Sequence, residues 1–213
     1  MKTRSKALLL TLCAVLLVAA SVLGTMAYLT SSDTVTNTFT VGSVAIKLDE
    51  AKANPDGTLV PNAERVKANS YKLLPGHTYN KDPMVTVLSG SESSYIKMTV
   101  TFSKANELDA IFAPGGADLT KIFNGYDPAN WTYKDNTTDV TANTRTYEFW
   151  YKEAVGAPNG DVALDALFDS ITVPGTITGE QLKTIGGMTI TVNAYAIQAD
   201  GFADAGAAWA AFN

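Results

Sequence analysis

The chain has 213 residues, 46% of them hydrophobic, with 16 bases against 21 acids and a net charge of −5. An acidic chain with no basic cluster interleaved with aromatics excludes nucleic acid as a partner. The single cysteine, Cys13, lies in an N-terminal apolar run. The rest of the chain therefore has neither a disulfide framework nor a thiolate nucleophile, and its core must hold it together.

At the N-terminus, Lys2, Arg4 and Lys6 precede an apolar run from Ala7 to Leu23 that only Thr11 and Ser21 interrupt. Small residues follow at Gly24, Thr25 and Ala27. Basic head, apolar middle and small-residue junction are the layout of a secretory signal, with cleavage expected between Ala27 and Tyr28. The run approaches the ~18 residues of a membrane span, so a retained anchor is the alternative. Leu12, which precedes Cys13, is not the small residue that lipidation requires. Removing residues 1–27 takes away three bases and no acids, leaving 13 against 21 and a charge of −8. Residues 28–213 suffice for one core, and a single exported domain is expected.

Strand signals dominate the remainder. Val35, Phe39 and Val41 alternate with Thr34, Thr36, Thr38 and Thr40, and after Gly42 the apolar set moves to Val44, Ile46 and Leu48. A bulge or a change of sheet at Gly42-Ser43 would absorb that one-residue slip. Residues 84–102 read as a strand pair: Val85 and Val87, a polar turn over residues 88–94, then Ile96, Met98, Val100 and Phe102 alternating with polar neighbours. Tyr147, Phe149 and Tyr151 predict another strand, and Met188, Ile190, Val192, Ala194 and Ala196 a late one.

Helical pieces are short. Leu108, Ile111 and Phe112 predict one, Leu119, Ile122 and Phe123 a further turn. Leu164, Leu167, Phe168 and Ile171 follow helical spacing behind Asp161 as a cap. Phe202, Ala205, Trp209 and Phe212 line one side of an Ala-rich C-terminal helix expected to pack on the domain. Turns fall at Asn54-Pro55-Asp56-Gly57, Pro75-Gly76, Pro114-Gly115-Gly116 and Pro158-Asn159-Gly160. The pattern predicts a mainly β fold, an antiparallel two-sheet sandwich with a few short inserted helices and a C-terminal helix.

Residues that could carry chemistry are sparse. His77 is the only histidine, and HExxH and GxSxG are both missing. The sequence therefore points to no catalytic residue, metal ligand or cofactor. Asp127, Asp135 and Asp139, and Asp161, Asp165 and Asp169, read as solvated acids. The Asn54–Gly57 turn lacks the spaced carboxylates of a calcium loop. Trp131, Tyr133, Tyr147, Trp150 and Tyr151 concentrate aromatics that suit a core stripe, with Trp150 on the opposite face.

The junction Gly24-Thr25-Met26-Ala27-Tyr28-Leu29-Thr30 leads into "SSDTVTNTFTVGSVAIKLDE", where Phe39, Gly42, Val44 and Ile46 form an F-x-x-G-x-V-x-I strand. This resembles the TasA/camelysin family of Gram-positive bacteria, exported proteins cut by a SipW-type signal peptidase. The stretch "LLPGHTYNKDPMVTVLSGSESSYIKMTVTF" is similar to that family's Pro-Gly turn and following strands. The resemblance is fairly specific over residues 1–50 and general beyond residue 102. It implies a secreted jelly-roll domain that assembles into fibres of the biofilm matrix at the cell surface. It also implies that a freshly cut N-terminal strand, residues 28–40, completes the sheet of the next subunit. Tyr28, Val35 and Phe39 would be its anchors. The segment is free of Gly and Pro after Tyr28, so it can pair while extended, within its own domain or with a neighbour. The metallopeptidase label that the family also carries would need ligands from carboxylates plus His77. A monomeric glycan-binding adhesin using the Trp131–Tyr151 aromatics is the third reading.

Overall fold

The computed structural model describes residues 3–28, 42–112 and 123–212. The chain falls into two units, Met1–Val41 and Gly42–Asn213. In the first, the basic-headed apolar run is a helix, α1 (Thr3–Tyr28). Among the described residues no helix is long and apolar enough to cross a membrane. Ala27 and Tyr28 are the last two residues of α1, and their side chains lie outside the description, as do Val35 and Phe39 altogether. The expected turn at Leu119–Ile122 and the Pro114–Gly116 loop also lie outside the described residues.

The second unit is mainly β. Its strands are β1 (Ile46–Asp49), β2 (Thr78–Asn80), β3 (Met84–Val87), β4 (Ser91–Ser103), β5 (Trp131–Asp139), β6 (Thr144–Tyr151), β7 (Val155–Ala157), β8 (Val162–Ala163), β9 (Ser170–Thr172) and β10 (Ile190–Gln198). Among the described residues three short helices accompany them: α2 (Ala105–Phe112), α3 (Gly179–Thr184) and α4 (Ala205–Ala211). All strand pairings between these elements are antiparallel. One sheet runs β1-β3-β8, a larger one β10-β4-β6-β5 with β7 also on β4, and β2-β9 form a two-stranded piece.

Period-2 patterning decides which side of each strand is buried. Ile96, Met98, Val100 and Phe102 of β4, Tyr147 and Phe149 of β6, and Val85 and Val87 of β3 join one core. Phe123, Trp131, Leu167 and Phe168 fill its aromatic part, with the Phe123 and Phe168 rings 4.5 Å apart. Among the described residues, every member of this core cluster lies within residues 79–185.

Two expectations are corrected. Residues 84–102 are not a hairpin, because β3 and β4 belong to different sheets. β3 is flanked by β1 and β8, and β4 by β10 and β6, so neither has a backbone edge left for the other. The polar turn is also shorter than expected: it is Ser89-Gly90, with Gly90 at φ +84°, and the strand already begins at Ser91. The helix expected behind Asp161 does not form either. Leu164, Leu167, Phe168 and Ile171 are buried as foreseen, but the chain there passes from β8 to β9 without helical hydrogen bonds. The Leu164 and Leu167 N–H groups donate instead to the Val85 and Pro83 carbonyls, at 2.9 and 3.1 Å. Asp161 accepts from the Ser89 N–H at 2.8 Å and so secures the β3–β4 corner.

The C-terminal helix forms as expected. The Asp204 carboxylate accepts from the Ala207 N–H at 2.8 Å to cap α4. Trp209 is buried, and the Lys97 ammonium lies 4.6 Å from its ring centroid.

Between β1 and β2 the chain makes a long irregular excursion that polar contacts hold down. Arg65 donates through Nε to Asp49 Oδ1 (2.6 Å) and through Nη1 to Asp82 Oδ2 (2.8 Å), with Nη2 on the Asp82 carbonyl. The Lys47 ammonium stands 2.7 Å from the other Asp49 oxygen. Burial alone would raise the Asp49 carboxyl, but hydrogen bonds from Lys47 and Arg65 outweigh it and hold the group below the usual carboxylate range.

A carboxyl depressed in the folded state contributes stability above its unfolded pKa of ~3.9, and that stability is lost as pH falls through the lower folded value. Denaturant melts followed downward from about pH 5 should therefore show acid loosening. Asp49→Asn should flatten part of that slope, while Asp56 and Glu107, also held low by hydrogen bonds, keep the remainder. Arg65→Ala, which strands the Asp49 carboxylate with Lys47 alone, should cost about 3 kcal/mol in the same melts. At Gly57 (φ +90°) a Cβ would stand 2.6 Å from the Thr78 carbonyl oxygen. Gly57→Ala is expected to cost about 2–4 kcal/mol, and an unchanged melting temperature would contradict that packing.

Candidate functional site: an unguarded sheet edge beside an apolar cleft

The structure places each residue weighed for chemistry in the sequence. His77 is exposed in the loop after Pro75-Gly76, its ring 6.4 Å from that of Tyr79. Among the described residues no group of three or more His, Cys, Asp or Glu side chains gathers to hold a metal. The singled-out acids serve turns instead. Asp127 accepts from Ala129 N–H, Asp139 from Thr141 and Ala142 N–H, and Asp165 from the Asn130 amide.

The aromatic concentration divides between two faces, as its spacing suggests. Trp131, Tyr147 and Phe149 are buried in the core, and Trp131 donates from Nε1 to the Asp165 carbonyl at 3.0 Å. Burial pushes the Tyr147 phenol above its usual range. Trp150 lies on the outer face, but it is already engaged. Lys134 sits 4.2 Å from its ring centroid, and its indole N–H donates to Glu148 at 2.6 Å. A sugar would have to displace both.

The sheet edges are the more informative feature. At β5 the edge is guarded: the register shifts between Tyr133 and Asp135, Lys134 and Asp135 add charge, and the Tyr126 hydroxyl occupies the Trp131 carbonyl and the Tyr133 N–H. Strand β8 is only two residues long. In β1, the Leu48 carbonyl accepts from the Lys67 ammonium. β10 has none of these devices. Its nine residues, Ile190 to Gln198, include no charge, proline or glycine and pair without irregularity to β4. Among the described residues its other edge meets no backbone partner.

The inward face of β10 is also incompletely covered. Ile96, Met98 and Val100 on neighbouring β4 are fully buried, whereas Val192, Ala194 and Ala196 opposite them are only half-buried. β1 lies beside β10, and its Ile46 and Leu48 are likewise half-buried. Two edge strands with partly uncovered apolar faces thus border one another.

At the start of β10, Ile190 lines a cleft of about 550 Å³. Leu73, Ile171, Val173, Leu182, Ile185 and Ile190 supply apolar wall, and Asn69, Tyr71 and Lys81 a polar end. The Lys81 side chain is 10% exposed, and its Nζ lies 2.6 Å from Glu50 Oε2. Asn69 donates to the other Glu50 oxygen at 3.0 Å. Tyr71 donates from its hydroxyl to the Asn80 carbonyl at 2.6 Å. Burial, with the Glu50 charge second, pushes its phenol far above the usual range and keeps it a neutral donor.

The uncharged run at residues 190–198 could have been read from sequence as an unprotected edge, had the sheet order been known. No local pattern announces the cleft, whose walls come from residues 69–81, 171–173 and 182–190. Of the residues singled out for assembly, the structure describes only the backbone of Tyr28. Comparison with protein-family models, with curated proteins and with solved structures finds no match to this chain.

Proposed function

We propose that this protein is a secreted structural subunit of extracellular matrix fibres, built on a two-sheet β-sandwich of jelly-roll type. The β1-β3-β8 and β10-β4-β6-β5 sheets would be the two layers, since β3 and β4 send their apolar faces into one core. Processing by a SipW-type signal peptidase between Ala27 and Tyr28 would release the domain at the cell surface. It would then polymerise by donating residues 28–40 to the next copy, in the manner of the TasA-like proteins that its N-terminus resembles.

One observation carries this reading: the nine-residue, uncharged and unbulged edge of β10, without a backbone partner among the described residues. An edge of this kind is a template for an incoming strand, and monomeric proteins ordinarily protect it with charge, proline or a bulge, as β5 does here. In residues 34–41, Val35, Phe39 and Val41 alternate with Thr34, Thr36, Thr38 and Thr40, with the uncharged Asn37 between Val35 and Phe39 on the apolar side. With no cysteine after residue 13, hydrogen-bonded strand exchange rather than disulfide linkage would join the subunits.

Electron microscopy and sedimentation of a chain beginning at Tyr28, beside one beginning at Thr40, test this directly. The longer chain should form fibres and the shorter one stay monomeric; monomers from both at high concentration would end the fibre reading. Val192→Lys, which puts a charge on the half-covered face of β10, should abolish fibres while shifting the melting temperature by only a few degrees, roughly 2–6 °C.

A further inference from the structure

We infer that the cleft at the start of β10 is the seat of an aromatic side chain carried by an extended peptide, and that the occupant is Phe39 of a second copy of this chain. The inference rests on the strand-donation reading and adds to it an anchor, a register and a direction.

The lining selects the class of ligand. Six aliphatic side chains form the wall, and a volume of about 550 Å³ is in the range of clefts that bury a small ligand, which leaves room for an aromatic side chain together with its adjoining backbone. At the polar end, Glu50 engages one of the three Lys81 N–H groups. Among the described residues no other acceptor meets that ammonium, so two donors remain in a largely water-excluded position. Glu50 already neutralises Lys81, and a ligand carboxylate would be repelled by the Glu50 charge beside it. A neutral acceptor, such as a backbone carbonyl, meets the spare donors without that cost. An apolar side chain next to a peptide carbonyl satisfies both ends of the cleft, whereas a fatty acid satisfies only one.

Position selects the partner. Ile190 is both a cleft wall and the first residue of β10, so a strand pairing along the free edge carries one side chain across the cleft mouth. In the 28–40 segment the large apolar side chains are Tyr28, Leu29, Val35 and Phe39. Val35 and Phe39 share a face at a separation of four residues. Because the cleft lies at the beginning of β10, a partner of Phe39 near Ile190 places Val35 four residues on, beside Ala194, only in the antiparallel direction. Ala194 and Ala196 are the small positions of the half-covered face, which leaves room for a β-branched neighbour.

The test uses chains beginning at Tyr28. Phe39→Ala removes the anchor, and Leu182→Trp fills the cleft from half-buried α3. Each should raise the concentration needed for fibre formation by about tenfold or more, while Phe39→Tyr keeps assembly close to the unsubstituted level. Mixing Phe39→Ala with Leu182→Trp chains should give dimers that do not grow, since one supplies the open cleft and the other the anchor. A second measurement guards against a misfolded Leu182→Trp chain. Added to the chain from Gly42 onward, which contains every described residue of the core, a peptide of residues 28–41 should shift the methyl resonances of Leu73, Ile185 and Ile190, and its Phe39→Ala form should not. Fibres from the unsubstituted chain together with unaltered assembly of both variants would overturn the cleft assignment and leave strand donation standing. Failure of the unsubstituted chain to assemble, with no methyl shifts from the peptide, would overturn both.

Discussion

The fold depends on β4. This thirteen-residue strand is hydrogen-bonded along both edges, to β10 on one side and to β6 and β7 on the other. Every second side chain from Ser94 to Phe102 is buried. Buried backbone polar groups must be paired, and a central strand that pairs on both sides is the economical solution. With no disulfide available, that strand and the core it faces must do the work of cross-links. Phe123, Tyr147, Phe149 and Phe168 pack edge-to-face or tilted around it, with ring centroids 4.5–6.0 Å apart.

The polar interactions act at the margins of this core. Arg65 ties the excursion between β1 and β2 to both Asp49 and Asp82, and the buried Lys81–Glu50 pair closes the same region from the other side. Neither pair is a large net source of stability, because desolvation offsets much of the attraction. Their effect is on position: they fix an irregular segment that would otherwise be free to leave the end of β1, and they set the polar end of the cleft. Lys97, held against Tyr195, Trp209 and Phe212, does the equivalent for the C-terminal helix.

The treatment of the edges is asymmetric, and the proposed function rests on that asymmetry. A bulge, two charged side chains and a tyrosine hydroxyl protect β5, while β10 presents nine uncharged residues. A protein that worked only as a monomer would gain from charge on both edges. An open edge, a partly uncovered apolar face and an adjoining cleft with spare hydrogen-bond donors are the features on which the proposal of a receptor for an extended chain rests.

Residue order alone determined most of the strand content and which side of each strand is buried. Alternation is a local property: Ile96 to Phe102, Tyr147 to Tyr151 and Ile190 to Ala196 each take one face because successive side chains point in opposite directions. The C-terminal helix was legible for the same reason, since the apolar spacing of Phe202, Ala205, Trp209 and Phe212 is local. Pairing was not legible, because a backbone edge carries no side-chain label. Residues 84–102 read as a hairpin, yet β3 and β4 joined different sheets once other strands had taken their edges. Leu164, Leu167, Phe168 and Ile171 had helical spacing, yet the Leu164 and Leu167 N–H groups found the Val85 carbonyl in β3 and the Pro83 carbonyl just before it. The cleft lay furthest from any sequence pattern, since it is made by three segments more than ninety residues apart at their extremes. Only tertiary structure brings Lys81, Tyr71 and Ile190 together, because the energy that places them is the burial of a shared core rather than any preference of the residues themselves.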